Sequence, residues 1–247
     1  MGARNAPLLR VGDIIICGGD EAGRGAVIGP LVISLVTVRS AAGKKLADIG
    51  VRDSKMLTPR MREELYGEIM DAAEQVLVDR IMPAEINDSM RSDISLNELE
   101  ASRFARLFES VGGDVGKLYL DSPDVVAARF GMRFAMSCSK PVRVRGAASG
   151  RRLQHQARRA PLVIAEHKAD ARYAVVSAAS IIAKVIRDRA IRRIERATGI
   201  RVGSGYPSDA VTIGAISANI RNEELARHIR VHWRTMDAIR QTRLYNY

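Results

Sequence analysis

The stretch ICGGDEAGRGAVIGPLVI, residues 16–33, decides the fold of this 247-residue chain. Two β-branched-rich runs flank an acidic pair, Asp20 and Glu21, and a glycine–arginine–glycine step at 23–25, which predicts a strand, a tight loop and a second strand. Adjacent carboxylates at a strand end repel each other unless a cation or solvent neutralises them. Glycines let a ligand approach the backbone closely, and an arginine suits phosphate. The stretch therefore indicates either a divalent metal beside a nucleic-acid backbone or a solvated turn with a salt bridge.

Composition bounds the class of protein. An apolar content of 47% and a charged content of 27% are typical of a soluble globular chain of one large domain, with or without a small appendage. The formal net charge of +11 favours a polyanionic partner, although binding to a ribosome or a membrane surface would also explain it. Polar residues interrupt the apolar stretch at 175–186, so no membrane span is expected. Two cysteines outside any metal-ligand spacing, and no signal-peptide core in residues 1–10, predict a cytoplasmic protein.

Local patterns predict the elements of an α/β fold. Short runs rich in β-branched residues predict strands at 13–17, 30–38, 76–81, 117–120 and 161–165. Capping residues and helical spacing predict helices at 58–74, 95–111, 123–136, 171–198, 209–219 and 223–239. We therefore expect a mixed sheet flanked by helices, followed by a C-terminal helical extension.

Two further acids follow predicted strands. Asp121 comes directly after the strand at 117–120, and Asp170 lies five residues beyond the strand at 161–165. Because ligands gather at the carboxyl ends of strands in an open α/β sheet, these acids could converge with Asp20 and Glu21. Four carboxylates suit Mg²⁺ or Mn²⁺, and two such ions can hold the attacking and departing oxygens of a phosphodiester displacement. Alternatively, acids at strand ends cap the helices that follow.

Other residues are candidate contacts for a phosphate backbone or a sugar. Ser180 and Lys184 share a polar stripe of the helix at 171–198, which either tracks a backbone or is an ordinary solvated face. Lys55 precedes a helix start, where free N–H groups also attract phosphate. Tyr206 lies between a glycine and a proline and either stacks on a sugar or packs within its loop.

Positive charge is concentrated in residues 125–165, which contain nine arginines and lysines and no acidic residue. The centre of this segment, 145–152, has no apolar periodicity and predicts a mobile loop. Charge of one sign favours contact with a polyanion, and a purely solubilising loop is the alternative.

Taken jointly, these blocks resemble the ribonuclease HII family (type 2 ribonuclease H), most closely its archaeal branch. The matching blocks occur in family order across nearly the whole chain, and six ordered blocks are a specific signal. They are 20–25 (DEAGRG), 51–57 (VRDSKML), 120–122 (LDS), 166–170 (EHKAD), 177–184 (SAASIIAK) with 187–188 (RD), and 203–209 (GSGYPSD). The arginine-rich segment at 143–159 looks longer than in compact relatives, which affects the backbone path before Asp170 rather than the chemistry.

The resemblance implies a ribonuclease H-like catalytic domain at 10–200 and a C-terminal helical extension at 201–247 that carries a substrate-binding tyrosine. It implies metal-dependent endonucleolytic cleavage of RNA in RNA–DNA hybrids and at ribonucleotides embedded in duplex DNA, leaving a 3′-hydroxyl and a 5′-phosphate. The implied catalytic and metal-binding carboxylates are Asp20, Glu21, Asp121 and Asp170. The implied substrate-binding residues are Gly23, Arg24, Gly25, Lys55, Ser180, Lys184 and Tyr206.

Two alternative functions and the partners of the chain also have to be weighed against the sequence. A nucleic-acid-binding protein that kept the fold but lost catalysis is disfavoured, because all four acids are present. A junction resolvase of the same superfold would not need the glycine–arginine–glycine step together with Tyr206. The resemblance is consistent with a monomeric enzyme, and a sliding clamp remains a possible partner.

Overall fold

The computed structural model describes residues 14–40, 43–51, 57–146 and 160–244. A six-stranded sheet has the strand order β3-β2-β1-β4-β6-β5. The strands are β1 (Ile15–Ala22), β2 (Leu31–Arg39), β3 (Gln75–Ile81), β4 (Val115–Asp121), β5 (Arg143–Val144) and β6 (Leu162–Glu166). Antiparallel pairing joins β1, β2 and β3, whereas β1, β4, β6 and β5 pair in parallel. The predicted mixed-sheet α/β fold is therefore confirmed.

Helices cover both faces of this sheet. They are α1 (Gly43–Asp48), α2 (Pro59–Ala72), α3 (Pro83–Arg91), α4 (Leu96–Glu109), α5 (Ala127–Ser137), α6 (Ala169–Arg172), α7 (Ala174–Thr198), α8 (Ala210–Asn219), α9 (Glu223–Ala226) and α10 (Arg234–Leu244). One face packs against the first half of α7, and the other packs against α4 and α5. Edge-to-face phenylalanine pairs join α4 to α5. Burial of these apolar faces is the main favourable term in the stability of the fold.

The first strand is longer than the sequence predicts. We expected a strand at 13–17 and a tight loop after it, but β1 continues through Asp20 and Glu21 to Ala22. Pairing with β2 extends that far, with Ala22 opposite Val32. The acidic pair is therefore held by ladder hydrogen bonds rather than by a turn.

The structure differs from the other predictions chiefly where local signals are weak. Helices α1 and α3 and the two-residue strand β5 were not predicted, and the helix predicted at 123–136 begins only at Ala127. The single helix predicted at 223–239 is divided into α9 and α10. Between these two helices Arg230 is fully buried, and its guanidinium donates to the main chain of another segment. Tertiary hydrogen bonding thus overrides helical propensity there.

The residues beyond α7 pack onto its second half. Their apolar side chains form a cluster with those of a loop that follows β1: Val27, Ile28, Ile191, Ile194, Val202, Ala215, Ile216, Leu225, Ile229, Met236 and Ile239. This cluster places the C-terminal helices against the segment that carries the glycine–arginine–glycine step.

In the part of the chain that the structure describes, no helix is long and apolar enough to cross a membrane.

Candidate active site

Three of the four predicted carboxylates are brought to one edge of the sheet by parallel strands, and the fourth follows the next strand. Asp20 and Asp121 each come one residue after the paired residues Gly19 and Leu120 of β1 and β4. Asp170 is buried in α6, and the preceding amide of Ala169 donates to Asp121 Oδ1 at 2.7 Å. We call Asp20, Glu21, Asp121 and Asp170 the carboxylate edge.

Burial and mutual repulsion disfavour ionisation at this edge. The pKa of Asp20 is raised to about 7, chiefly by burial and further by the nearby charge of Asp121. A hydrogen bond from Ser180 and the charge of Lys184 oppose that rise. Burial and the charge of Asp20 also raise the pKa of Glu21 well above its usual value. The edge therefore favours a group that adds positive charge.

Helix α7 packs against β1 and carries polar side chains next to the carboxylates. Its main chain lies so close to β1 that a Cβ at Gly18 would come within 2.5 Å of the Val175 carbonyl carbon. Ser180 is buried, and its hydroxyl accepts from Lys184 Nζ at 2.8 Å. Ser177 is also buried and donates to the carbonyl of Val51. Both serines of α7 are thus enclosed by the protein and do not form a solvated face.

The donor set suits a hard divalent cation. All four groups are carboxylates, the oxygen ligands that Mg²⁺ and Mn²⁺ prefer. Glu21 Oε2 is buried and has no hydrogen-bond partner among the described residues. Across those residues, however, no group of three or more acidic, histidine or cysteine side chains is drawn together closely enough to hold a metal ion. The residues therefore fit a cation in chemistry and charge, while their side chains do not enclose one in this arrangement.

Beside the carboxylate edge lies a loop at residues 23–29, which we call the glycine–arginine loop. Gly23 has φ +91°, and a Cβ there would collide with the Arg187 side chain. The Arg24 guanidinium is paired with Glu100 and Asn97 of α4. From the C-terminal segment, Arg230 donates to the Arg24 carbonyl at 3.0 Å and twice to the Gly29 carbonyl. Gly25 is exposed.

Residues 203–209 form a turn next to this loop, which we call the tyrosine turn. Asp209 accepts from the Ser204 amide at 2.7 Å, and the Gly205 carbonyl accepts from the Val27 amide at 2.8 Å. Tyr206 is half-buried, and the guanidinium carbon of Arg187 lies 4.4 Å from the centre of its ring. Arg187 also donates to the Ser204 carbonyl at 2.8 Å. The tyrosine turn and the glycine–arginine loop are therefore joined through Arg187.

Two predicted features lie at least partly outside the described residues. Lys55 lies outside the described residues, and so do residues 147–159 of the arginine-rich segment. Among the described basic residues of the wider region 125–165, Arg133 pairs with Asp124 and Glu98, and Arg145 pairs with Glu166. These two arginines are already neutralised within the fold.

Comparison with known proteins identifies the family. The family profile described as Ribonuclease HII matches residues 17–236. The chain belongs to the ribonuclease HII family. It is similar to "Ribonuclease HII" of Cenarchaeum symbiosum, with 38% identity over 222 residues that cover 90% of this chain and 96% of the relative. The chain is accordingly a ribonuclease H, an endonuclease that acts on RNA–DNA hybrids, and this family of enzymes depends on divalent metal.

Solved structures of ribonuclease HII relatives share the whole fold. The ribonuclease H2 from Pyrococcus horikoshii superposes with a TM-score of 0.77 at 36% identity, covering 93% of this chain and 98% of that one. The ribonuclease HII in a complex with PCNA from Archaeoglobus fulgidus gives a TM-score of 0.73 at 32% identity, covering 90% and 96%. The resemblance inferred from the motifs is thereby confirmed.

Three buried residues beside this ribonuclease HII site were not predicted as site residues. Glu100 falls at the helical spacing of Phe104 and Phe108, so an acid at a core position was the available signal. Arg187 lies in a matched block without an assigned role. Arg230 carries no local signal, because its partners are more than 200 residues away along the chain.

Proposed function

We propose that this chain incises the RNA strand of RNA–DNA hybrids and also duplex DNA at single embedded ribonucleotides, by two-metal-ion hydrolysis. The observation that carries the proposal is the position of the glycine–arginine loop between the carboxylate edge and the tyrosine turn, to which Arg187 ties it. Cleavage chemistry and sugar recognition would then act on neighbouring nucleotides. In the reaction a water oxygen bonds to phosphorus, the bond from phosphorus to the 3′ oxygen breaks, and the departing oxygen takes a proton. The products carry a 3′-hydroxyl and a 5′-phosphate.

In this proposal Asp20, Glu21, Asp121 and Asp170 are the metal ligands and catalytic carboxylates. Two Mg²⁺ or Mn²⁺ ions, when bound, supply charge stabilisation for the attacking and leaving oxygens of an in-line displacement. The chain's own contribution is orientation. The ladder of β1 fixes the direction of Asp20 and Glu21, and the Ala169 amide fixes one oxygen of Asp121. Ser180 and Lys184 moderate the negative charge of Asp20.

We assign sugar recognition to the glycine–arginine loop and the tyrosine turn. A protein distinguishes RNA from DNA at one position through the 2′-hydroxyl. Gly23 and Gly25 lack a Cβ, so main-chain groups of the glycine–arginine loop can reach that hydroxyl. Tyr206 would pack against the next sugar, where a second 2′-hydroxyl would crowd its ring. This pair of requirements selects a ribose followed by a deoxyribose.

The remaining predicted contacts serve the phosphate backbone. We assign Lys184 and Lys55 to phosphates near the cut, and the arginine-rich segment at 143–159 to the duplex further away. Such contacts position a duplex without reading its sequence. The catalytic domain spans residues 10–200, and the extension at 201–247 supplies the tyrosine turn.

The decisive experiment uses a duplex DNA that contains one ribonucleotide. We expect incision at a phosphate next to that ribonucleotide, by cleavage of the bond from phosphorus to the 3′ oxygen, only when Mg²⁺ or Mn²⁺ is added. The resulting 3′-hydroxyl end should be one that a polymerase can extend. A continuous RNA–DNA hybrid serves as the positive control, and the all-DNA duplex serves as the negative control. Cleavage of the hybrid without any incision at the single ribonucleotide contradicts the proposed substrate range.

A sliding clamp is the proposed protein partner. The support is the Archaeoglobus fulgidus structure, in which a relative of this chain is in a complex with PCNA. Size-exclusion chromatography of the full chain with a clamp should show co-elution, and the chain by itself should elute as a monomer. Separate elution at micromolar concentrations of both proteins would exclude a stable complex.

A further inference from the structure

The guanidinium of Arg24 points into the protein. One terminal nitrogen is paired with Glu100 and the other donates to Asn97, both on α4. A planar guanidinium with both terminal nitrogens engaged by one helix has a fixed direction. The Arg24 carbonyl is held independently by Arg230 at 3.0 Å. The residue between the two recognition glycines is therefore anchored at its side chain and at its main chain.

Glu100 is an unusual residue to find at this depth. It is fully buried on the face of α4 that carries Phe104 and Phe108. Burying a carboxylate is costly unless it is paired, and its Oε1 has no hydrogen-bond partner among the described residues. A leucine at this position would pack in the core without that cost. Glu100 is, however, the charged partner of the Arg24 guanidinium, and an apolar side chain would leave that guanidinium without it.

We propose that Glu100 is a positioning residue for ribose recognition, because it anchors the Arg24 side chain to α4 and so fixes the main chain of residues 23–25. The inference rests on the role proposed above for the glycine–arginine loop. In this arrangement the Arg24 guanidinium is an anchor rather than a phosphate ligand, and the loop meets the substrate through its backbone. Asn97 completes the anchor by accepting from the second terminal nitrogen.

Without this anchor, the loop should still bind the ribose but should hold it in the wrong position. Small errors in the position of a reacting group, of about 1 Å, cost up to about 10²-fold in rate. Affinity for the duplex comes largely from other phosphate contacts and should change little. The signature of positioning is therefore a fall in kcat at nearly constant KM.

The test compares Glu100→Gln with wild-type protein on a duplex that contains one ribonucleotide. Steady-state rates are measured at saturating Mg²⁺, at a temperature at which circular dichroism shows both proteins folded. We expect kcat to fall about 10- to 100-fold with KM within about threefold. Because Arg24 and Glu100 act together, the double variant Arg24→Gln, Glu100→Gln should be no slower than Arg24→Gln.

Glu98→Gln provides the matched control. Glu98 lies on the same helix but is exposed, and it caps the helix through Ser95 instead of touching the loop. Its replacement should lower the melting temperature and leave kcat unchanged. A folded Glu100→Gln protein with kcat within twofold of wild type overturns the positioning role. If Glu100→Gln does not fold, Asn97→Ala decides: a kcat at least threefold lower supports the anchor, and an unchanged kcat overturns it. If the wild-type protein fails to incise at a single ribonucleotide, the proposed function fails instead.

Discussion

The carboxylate edge and the glycine–arginine loop lie side by side but are held by different kinds of structure. Strand ladders and a helix start position the carboxylates, although these residues lie far apart along the chain. The loop is held by long side chains that reach it from distant segments, namely Glu100, Arg187 and Arg230. The proposed chemistry is thus placed on strands and a helix start, whereas the proposed recognition of sugar depends on buried ion pairs and guanidinium contacts.

This difference has an energetic consequence. The ladder around Asp20 is made of many small contributions, so no single side chain outside the edge controls its geometry. The loop depends on a few buried charged groups, and removing one partner leaves the other unsatisfied. Substitutions at the carboxylate edge should therefore affect catalysis with little loss of stability, and substitutions around the loop should affect stability and selectivity together.

The largest effect is expected from Asp121→Asn. The asparagine keeps the oxygen that accepts from the Ala169 amide but loses the negative charge. Cleavage of an RNA–DNA hybrid should fall on the order of 10³-fold, because the transition state loses a preorganised electrostatic contact. Binding of the hybrid, measured by fluorescence anisotropy, should change little. The control is Asp71→Asn on the exposed face of α2, which should be fully active. Near-normal turnover of Asp121→Asn at saturating metal contradicts the assignment of this carboxylate.

Next in size is the effect of Arg230→Met on the other region. Arg230 is fully buried and makes three hydrogen bonds to the carbonyls of Arg24 and Gly29. Leaving these carbonyls unsatisfied should lower the free energy of unfolding by about 3 kcal/mol. Urea denaturation measures the loss, and Arg227→Met, an exposed arginine of the same segment, serves as the control. Equal stability of the two variants would show that the loop does not depend on its buried arginine.

The same contrast explains how far the sequence predicts the site. The five longer strands could be predicted because each is a contiguous run of β-branched residues. The carboxylates and the tyrosine could be predicted because each lies in a contiguous motif whose residue types indicate a chemical role. The extension of β1 through Asp20 and Glu21 was missed, because two glycines precede the acids and read locally as a turn. Its cause is pairing with β2, which places Glu21 opposite Ile33 and Ala22 opposite Val32.

The buried network behind the glycine–arginine loop could not be predicted for a related reason. Arg230 appears in a stretch with helical composition, and only its contact with residues 24 and 29 shows why the helix is interrupted there. Glu100 carries a weak signal as an acid at a core position, but its partner Arg24 is 76 residues away. Pairing over such separations is a property of the fold and leaves no periodic trace in the sequence.

A smaller effect should separate recognition by Tyr206 from simple packing. The ring rests on Arg187, so it is held in place but remains half-buried. Tyr206→Ala should slow incision at a single ribonucleotide about 10-fold more than cleavage of a continuous hybrid, because a stacking contact to the sugar is lost. Tyr206→Phe keeps the ring and should resemble wild type on both substrates. An equal loss on both substrates, together with a lower melting temperature, would assign the tyrosine to packing.

The smallest effect concerns Lys168, which lies two residues before Asp170 of the carboxylate edge. Lys168 has φ +56° and ψ 38°, a left-handed conformation that is strained for any residue with a Cβ. It directly precedes Ala169, whose amide donates to Asp121, so the strained turn aims a hydrogen bond at a carboxylate. Lys168→Gly should relieve the strain and raise the free energy of unfolding by up to about 1 kcal/mol. Lys168→Ala also removes the exposed side chain but keeps the Cβ, and it should give no gain. Equal changes in the two variants, measured by urea denaturation, would mean that the lysine charge rather than the backbone conformation sets the difference. A gain in stability seen only with glycine would show that the carboxylate edge, although it is built on strands and a helix start, depends on one strained residue to aim the Ala169 amide at Asp121.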